Sequence, residues 1–158
     1  MTSSVELSGR SLLVAASYVV LRRGDEVLLQ RRQNTGYMDG FWANLAGHVD
    51  PYESVLDAAV REAREEAGVE IRVEDLRPLT TLHRVQVGGP PVEQRCDFFF
   101  EVRRWTGEPT VLEPAKCAAL EWFRLGALPE DVVPYERLVL QGLHRGDLQP
   151  IVSLRRAC

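Results

Sequence analysis

Residues 47–69 read GHVDPYESVLDAAVREAREEAGV, and this stretch carries the strongest signals for the fold and for the site of the chain. Small and apolar residues recur there at helical spacing, so the pattern predicts a helix over 51–67. We expect Asp50 to cap this helix, with Glu53 completing a capping box, and Gly68 to end it. The apolar stripe of the predicted helix consists of Leu56, Ala59, Val60, Ala63 and Ala67.

Three carboxylates share one flank of the predicted helix. At about 100° per residue, Glu62, Glu65 and Glu66 fall within an arc of about 100° beside the apolar stripe. The same projection places Arg61 and Arg64 on the opposite, exposed edge. Carboxylates clustered on a rigid helix suit a hard divalent cation such as Mg²⁺. The alternative is an ordinary solvated helix face, since Glu, Ala and Arg all favour helices.

The spacing of the whole stretch carries a family resemblance. It reads as Gly, five residues, Glu, seven residues, then Arg-Glu-apolar-x-Glu-Glu-x-Gly-apolar, and matches the Nudix box over all 23 positions. The chain therefore resembles the Nudix hydrolases, Mg²⁺-dependent enzymes that cleave nucleoside diphosphates linked to another moiety. The resemblance implies an α+β fold, an α/β/α sandwich around a mixed β-sheet. We expect a single domain over 1–158, with its core at about 14–143.

The resemblance also implies a metal site built around the box. Glu62 and Glu66 correspond to metal ligands, and Glu53 supports the metal shell. A backbone carbonyl ligand precedes the box Gly, and this position is Ala46. Mg²⁺ is the expected cofactor, with Mn²⁺ as an alternative. Family members commonly have Gly where Ala46 and Tyr52 stand here, although an alanine can still supply a carbonyl.

Three further residues are implied to serve catalysis. Arg61 orients the neighbouring carboxylates, and Glu65 joins the metal ligands or holds a metal-bound water. Glu113 lies eight residues after Trp105, in a segment similar to mutator-type nucleoside triphosphate pyrophosphohydrolases. In those enzymes such a Glu is a further metal ligand or a general base. The resemblance thus leaves Glu65 and Glu113 as alternatives for positioning or deprotonating the attacking water.

Substrate contacts are expected outside the box. Residues 27–32, VLLQRR, resemble a strand of the mutator-type enzymes whose last Arg contacts phosphate, which is Arg32 here. Tyr37 in a polar loop and Tyr135 at the late helix are candidates to stack on a base. Asp97 is a polar candidate for the substrate groove without an assigned role.

The substrate is inferred by elimination. The region downstream of the box lacks the signatures of ADP-ribose and dinucleoside polyphosphate enzymes. We therefore predict a nucleoside triphosphate or diphosphate that is cut to the monophosphate. The alternatives are an ADP-ribose or nucleotide-sugar pyrophosphatase and, in a different class, a non-catalytic module that binds a nucleotide and regulates a partner.

Composition bounds the remaining questions. The chain has 158 residues, with 19 basic against 23 acidic side chains and a net charge of -4. No basic stripe is visible, so we expect a small-molecule nucleotide substrate and no nucleic-acid partner. Its three cysteines show no CxxC spacing, which favours reduced thiols in the cytoplasm. The apolar run at 11–21 is too short to span a membrane, so we expect no membrane association. The family resemblance also allows a homodimer.

The remaining segments alternate between strand and turn signals. Strands are predicted at 14–21 and 26–30, joined as a hairpin through a turn signal at Gly24. Further strands are predicted at 41–46, 97–102 and 119–125. A late helix is predicted over 134–143, because Pro134 is compatible with a first helical position.

Overall fold

A mixed eight-stranded sheet with two helices forms the fold. The computed structural model describes residues 9–157. The helices are α1 (Val55–Ala67) and α2 (Pro134–Arg145). The strands are β1 (Val14–Arg23), β2 (Glu26–Arg32), β3 (Trp42–Ala43), β4 (Leu45–His48), β5 (Arg77–Gln86), β6 (Arg95–Val102), β7 (Cys117–Arg124) and β8 (Ile151–Arg156).

The sheet contains both antiparallel and parallel pairs. Its main order is β3-β2-β1-β6-β5-β8, with β4 paired to β1 and β7 paired to β2. β1 and β2 form the predicted antiparallel hairpin, which turns through Gly24 at a φ of +62°. β1 runs parallel to β6 from Val14 to Leu21, and β8 runs parallel to β5.

The side chains on the two faces of β1 pack into two separate hydrophobic clusters. Successive side chains of a strand point to opposite faces, so residues 16, 18 and 20 lie on one side and 19 and 21 on the other. Ala16, Tyr18 and Val20 pack in a cluster that contains Val139 and Leu140 of α2. Val19 and Leu21 pack in the other cluster with Ala59, Ala63 and Ala67 of α1. The helices therefore cover opposite faces of the sheet, which is the predicted α/β/α sandwich.

The start of α1 differs from the prediction. The N-cap is Ser54, whose Oγ accepts a hydrogen bond of 3.0 Å from Asp57 N, and not Asp50. Tyr52 adopts a φ of +66°, a left-handed conformation that a right-handed helix cannot continue through. Residues 51–54 therefore form a turn before the helix. The predicted end is confirmed, since Gly68 closes α1 at a φ of +69°.

The other predicted elements are present, and two strands were not anticipated. Strand β6 and helix α2 cover the segments predicted at 97–102 and 134–143, and β7 covers 119–124. The segment predicted at 41–46 contains β3 and the start of β4. The unanticipated strands are β5 and β8, and β8 has no buried residue. No helix within residues 9–157 is long and apolar enough to cross a membrane. Cys96 and Cys117 are unpaired, and Cys158 lies outside the described residues.

Candidate active site

Most of the predicted site residues meet in one cavity of about 530 Å³. Its walls come from α1, β4, the loop after β2, the segment before β7 and the start of α2. Eight of the ten predicted residues line it, namely Arg32, Tyr37, Ala46, Glu62, Glu65, Glu66, Glu113 and Tyr135. The other two, Glu53 and Arg61, lie outside the lining and contact each other. We call this space the main cavity.

The carboxylates of the main cavity repel one another. Burial raises the pKa of Glu62, although hydrogen bonding and charge attraction from Arg61 oppose that effect. Burial, and then repulsion by Glu62, raises the pKa of Glu66 well above its ordinary value. Glu113 adds to the repulsion on both. Burial away from water and repulsion between like charges both disfavour the ionised forms of Glu62 and Glu66. A bound cation would therefore stabilise the ionised carboxylates.

Arg61 braces these carboxylates from behind. Its guanidinium donates to Glu53 Oε1 at 2.8 Å, to Glu62 Oε1 at 2.6 Å and to Glu65 Oε2 at 3.3 Å. The helical projection that placed Arg61 on the opposite edge is therefore wrong, because its long side chain bends back over the carboxylate flank. Arg64 does point away and pairs with Glu70. The role implied for Arg61 by the family resemblance agrees with these contacts.

Gly47 allows helix α1 to approach strand β4 closely. A Cβ atom built on Gly47 would lie 1.9 Å from Glu62 Oε1, far inside contact distance. The Glu62 carboxylate therefore occupies the space that any other residue would fill at position 47. This explains in physical terms why the first residue of the motif is a glycine.

The donors have the chemistry that a hard divalent cation requires. Carboxylate oxygens are the ligands preferred by Mg²⁺ and Mn²⁺, and five glutamates line the cavity. Within residues 9–157, no three Asp, Glu, His or Cys side chains are already grouped closely enough to hold a metal ion. Arg61 engages Glu62 in this arrangement, so metal binding at Glu62 would compete with that hydrogen bond.

A buried hydrogen-bond network supports Glu66 and extends to α2. Glu66 Oε2 accepts from Gln30 Nε2 at 2.8 Å and from Ala46 N at 3.0 Å. Gln30 Nε2 also donates to the Asn44 carbonyl at 3.2 Å. Asn44 in turn donates to Glu136 Oε2 from its backbone at 2.6 Å and from its side chain at 2.9 Å. Gln30, Asn44 and Glu136 were not predicted as site residues, and the available signal was a polar Gln within the apolar strand 26–30.

The predicted substrate residues differ in accessibility. Tyr37 is 46% exposed, and the Arg32 guanidinium lies 5.7 Å from its ring centre. Tyr135 is only 7% exposed, and its hydroxyl lies 3.2 Å from that of Tyr18. The Arg84 guanidinium covers the Tyr135 ring at 3.7 Å. Tyr37 thus offers an open aromatic face, whereas one face of Tyr135 is already occupied.

Family comparison agrees with this geometry. Residues 12–143 match the profile of the NUDIX domain. The chain belongs to the Nudix family. Among solved structures, the MutT NUDIX hydrolase from Burkholderia pseudomallei superposes with a TM-score of 0.73 at 27% identity, over 82% of this chain and 97% of that protein. The mutator MutT protein from Bacillus halodurans also gives 0.73 at 19% identity, over 92% of this chain and 91% of that one, which shows a shared fold. The predicted Nudix fold is confirmed.

Two curated relatives of this chain are named for different activities. The NAD-capped RNA hydrolase NudC of Pseudomonas aeruginosa is 33% identical over 125 residues, covering 79% of this chain and 40% of NudC. The isopentenyl-diphosphate Delta-isomerase of a Jannaschia species is 30% identical over 138 residues, covering 80% of this chain and 76% of the isomerase. This chain therefore spans about two fifths of the NudC proteins that it matches.

Proposed function

We propose that this Nudix protein is a pyrophosphohydrolase that cleaves the diphosphate linkage of a nucleotide, using Mg²⁺ or Mn²⁺, and releases a nucleoside monophosphate. The observation that carries the proposal is the main cavity, where Glu62, Glu65, Glu66 and Glu113 share one lining with cationic side chains. A diphosphate needs both kinds of group. Carboxylates hold the metal, and cations attract the phosphates.

The residues divide the chemical work. Glu62, Glu66 and the Ala46 backbone would hold the metal, with Glu53 supporting them through Arg61. When bound, the ion would neutralise phosphate charge and make water more acidic. Arg61 keeps Glu62 and Glu65 oriented through its hydrogen bonds. Glu65 or Glu113 would then accept the proton of the attacking water.

We assign substrate binding to the end of β2 and to the loop that follows it. Arg32 forms no ion pair with any residue in 9–157, so its charge is free to attract a phosphate. Its Nε is fixed by the Tyr37 carbonyl at 2.9 Å, and its Nη2 by Thr35 at 3.0 Å. The exposed Tyr37 ring beside it would stack on a base, which is consistent with any nucleobase.

The first experiment is a product screen with Mg²⁺. The panel contains nucleoside triphosphates and diphosphates, ADP-ribose, nucleotide sugars, dinucleoside polyphosphates, NAD⁺ and NAD-capped RNA. Isopentenyl diphosphate is included because one relative is named as an isomerase of it. We expect a nucleoside monophosphate product that disappears in EDTA. Nucleotide binding without turnover across the panel would instead support a non-catalytic module.

Glu66→Gln tests the metal site directly. We expect Mg²⁺-dependent turnover to fall at least ~100-fold, because loss of a ligand exceeds the usual effect of removing its supporting contacts. Glu70→Gln is the control, since Glu70 is exposed and its carboxylate pairs, among residues 9–157, only with Arg64. Mn²⁺ affinity measured by electron paramagnetic resonance gives a readout independent of turnover. Unchanged turnover and Mn²⁺ affinity in Glu66→Gln would remove Glu66 from the site.

A further inference from the structure

A second hollow opens from the main cavity and contains none of the box carboxylates. It has a volume of about 320 Å³, and we call it the distal pocket. It shares five lining residues with the main cavity, so the two spaces are continuous. Its chemical character comes from three arginines, two tyrosines and a histidine: Arg32, Arg84, Arg95, Tyr37, Tyr135 and His48.

Arg84 is held rigidly in the wall of the distal pocket. Its Nε donates to Asp97 Oδ2 at 2.6 Å, and its guanidinium stacks on Tyr135 at 3.7 Å. The Arg84 side chain is 16% exposed, and the Asp97 side chain is fully buried. No hydrogen bond joins the two terminal nitrogens of Arg84 to a residue in 9–157. Asp97 and Tyr135 thus fix the guanidinium plane while leaving its outer donors open.

A buried ion pair of this kind is energetically unfavourable if its role is only structural. Withdrawing Arg84 and Asp97 from water carries a large desolvation penalty for each ion, and apolar side chains of similar volume would pack there at least as well. A preorganised guanidinium with a free fork is, however, well suited to bind the oxygens of a phosphate.

Arg95 adds a second cation, one that forms no ion pair with any residue in 9–157. Its Nε is buried and has no hydrogen-bond partner among the described residues. Its Nη1 makes only a long contact of 3.4 Å with the Val92 carbonyl. Arg32 also lacks an ion pair there, and Glu93 is the single carboxylate in the pocket lining. With Arg84 balanced by Asp97, two unpaired guanidiniums face one carboxylate, so the pocket favours an anion.

We propose that the distal pocket binds a second phosphate of the substrate, one carried on the ribose and separate from the scissile diphosphate. This inference rests on the proposed function, because the carboxylates of the main cavity must hold the diphosphate through the metal. The ribose comes next to the diphosphate in any such nucleotide, and the pocket continues directly from the main cavity. The phosphate could belong to a free nucleotide or to the first ribose of an RNA 5′ end.

Binding of nucleotides that cannot be hydrolysed as diphosphates tests the pocket. AMP, adenosine 2′,5′-bisphosphate and adenosine 3′,5′-bisphosphate are titrated by calorimetry against the protein with Mg²⁺. We expect one bisphosphate to bind at least ~10-fold more tightly than AMP. Equal affinity for all three nucleotides would overturn the proposal.

Two variants locate that preference. Arg84→Lys keeps the charge but loses the planar fork, and Arg95→Gln removes a cation that is outside the buried pair. We expect each to reduce the preference to about twofold or less, with far-UV circular dichroism unchanged. Arg145→Gln, at an exposed arginine on α2, is the control that retains the full preference. A preference that survives both pocket variants would overturn the assignment.

The source of the phosphate is resolved by comparing hydrolysis of NAD⁺, NADP⁺ and an NAD-capped oligoribonucleotide. A higher kcat/KM for NADP⁺ would identify a free nucleotide with a ribose phosphate, and a higher value for the capped RNA would identify an RNA end. If kcat/KM for NADP⁺ and kcat/KM for the capped RNA both fail to exceed kcat/KM for NAD⁺, the subsite is refuted. Turnover of NAD⁺ in that case would leave the proposed hydrolase activity intact. Preserved bisphosphate preference without turnover of any nucleotide in the Mg²⁺ product screen would refute only the hydrolase.

Discussion

At the scale of single residues, Tyr52 stands out because its left-handed backbone conformation is unfavourable for a residue with a Cβ atom. It adopts a φ of +66° and is fully exposed, so its side chain makes no compensating packing. A left-handed conformation costs a non-glycine residue about 1–2 kcal/mol. Tyr52 lies in the turn that joins β4 to the N-cap of α1.

Replacing Tyr52 by glycine is expected to stabilise the protein. Tyr52→Gly removes the unfavourable backbone conformation, and we expect the free energy of unfolding to rise by about 0.5–1 kcal/mol after the entropy cost of glycine. Urea unfolding measures the change. Tyr52→Ala is the control, because it removes the same ring and keeps a Cβ at positive φ. An equal effect of both substitutions would show that the backbone conformation is not the cause.

Glu136 is a buried carboxylate that links stability to pH. It is 2% exposed, and burial raises its pKa from the ordinary 4.5 to about 7, against the lowering effects of Asn44 and Arg32. Between these values the folded protein keeps a proton that the unfolded chain has lost. Stability due to this group is therefore full below pH 4.5 and is lost as the pH rises to about 7.

Glu136→Gln should remove this pH dependence. A glutamine oxygen still accepts from Asn44 but carries no charge, so we expect the variant to gain stability over the native protein as the pH rises from 5 to 8. The gain should be on the order of 1–3 kcal/mol. Urea unfolding at several pH values measures it, with exposed Glu121→Gln as the control. A difference that is constant with pH would contradict this assignment.

At the scale of elements, the approach of α1 to β4 sets the position of Glu62. The two elements meet where Gly47 leaves room for the Glu62 carboxylate, and Ala58, Ala59 and Ala63 let the helix lie close to the sheet. Backbone geometry and carboxylate placement are therefore coupled at this contact.

Gly47→Ala should damage activity more than stability. The new Cβ would displace the Glu62 carboxylate and weaken its hydrogen bond to Arg61. We expect Mg²⁺-dependent turnover to fall at least ~10-fold, while the unfolding free energy falls by about 1–3 kcal/mol. Kinetics at varied Mg²⁺ and urea unfolding measure the two effects. Exposed Gly24→Ala, at the β1–β2 turn, is strained by its own φ of +62° and is the control for backbone strain alone.

At the scale of the whole molecule, β8 completes the sheet beyond the matched family segment. Residues 12–143 match the NUDIX domain, whereas β8 pairs in parallel with β5 from Ile151 to Arg156. Val152 and Leu154 pack against the core cluster on the α2 side. This strand covers an edge that would otherwise present unpaired backbone groups.

Deletion of residues 149–158 should lower stability and leave the carboxylate site intact. We expect the Tm to fall by about 3–10 °C, because the pairing with β5 and the two partly buried side chains are lost. Aggregation should increase through the exposed edge of β5. Differential scanning calorimetry and light scattering measure both effects. Deletion of 157–158, which lie beyond the strand, is the control, and an unchanged Tm in the longer deletion would show that β8 does not stabilise the sheet.

Much of the fold and site could be predicted from local patterns. Hydrophobic periodicity and the turn signal at Gly24 predicted the β1–β2 hairpin, and the spacing of residues 47–69 placed Glu62, Glu65 and Glu66 on one flank of α1. The predicted cap at Asp50 was wrong because the conformation of Tyr52 overrides a good capping sequence. Strand β8 could not be anticipated, since it has exposed residues and depends on pairing with β5.

The sequence by itself determined the family, the α+β class and the acidic cluster, because these depend on residues close together in one motif. Only the tertiary structure decided the partners of those residues. Asn44 and Glu136 are 92 positions apart, and Gln30 and Glu66 are 36 apart. The direction of the Arg61 side chain and the Arg84–Asp97 pair in the distal pocket also depend on how elements pack. Local periodicity fixes which face a residue occupies, whereas sheet order and helix packing determine what that face meets.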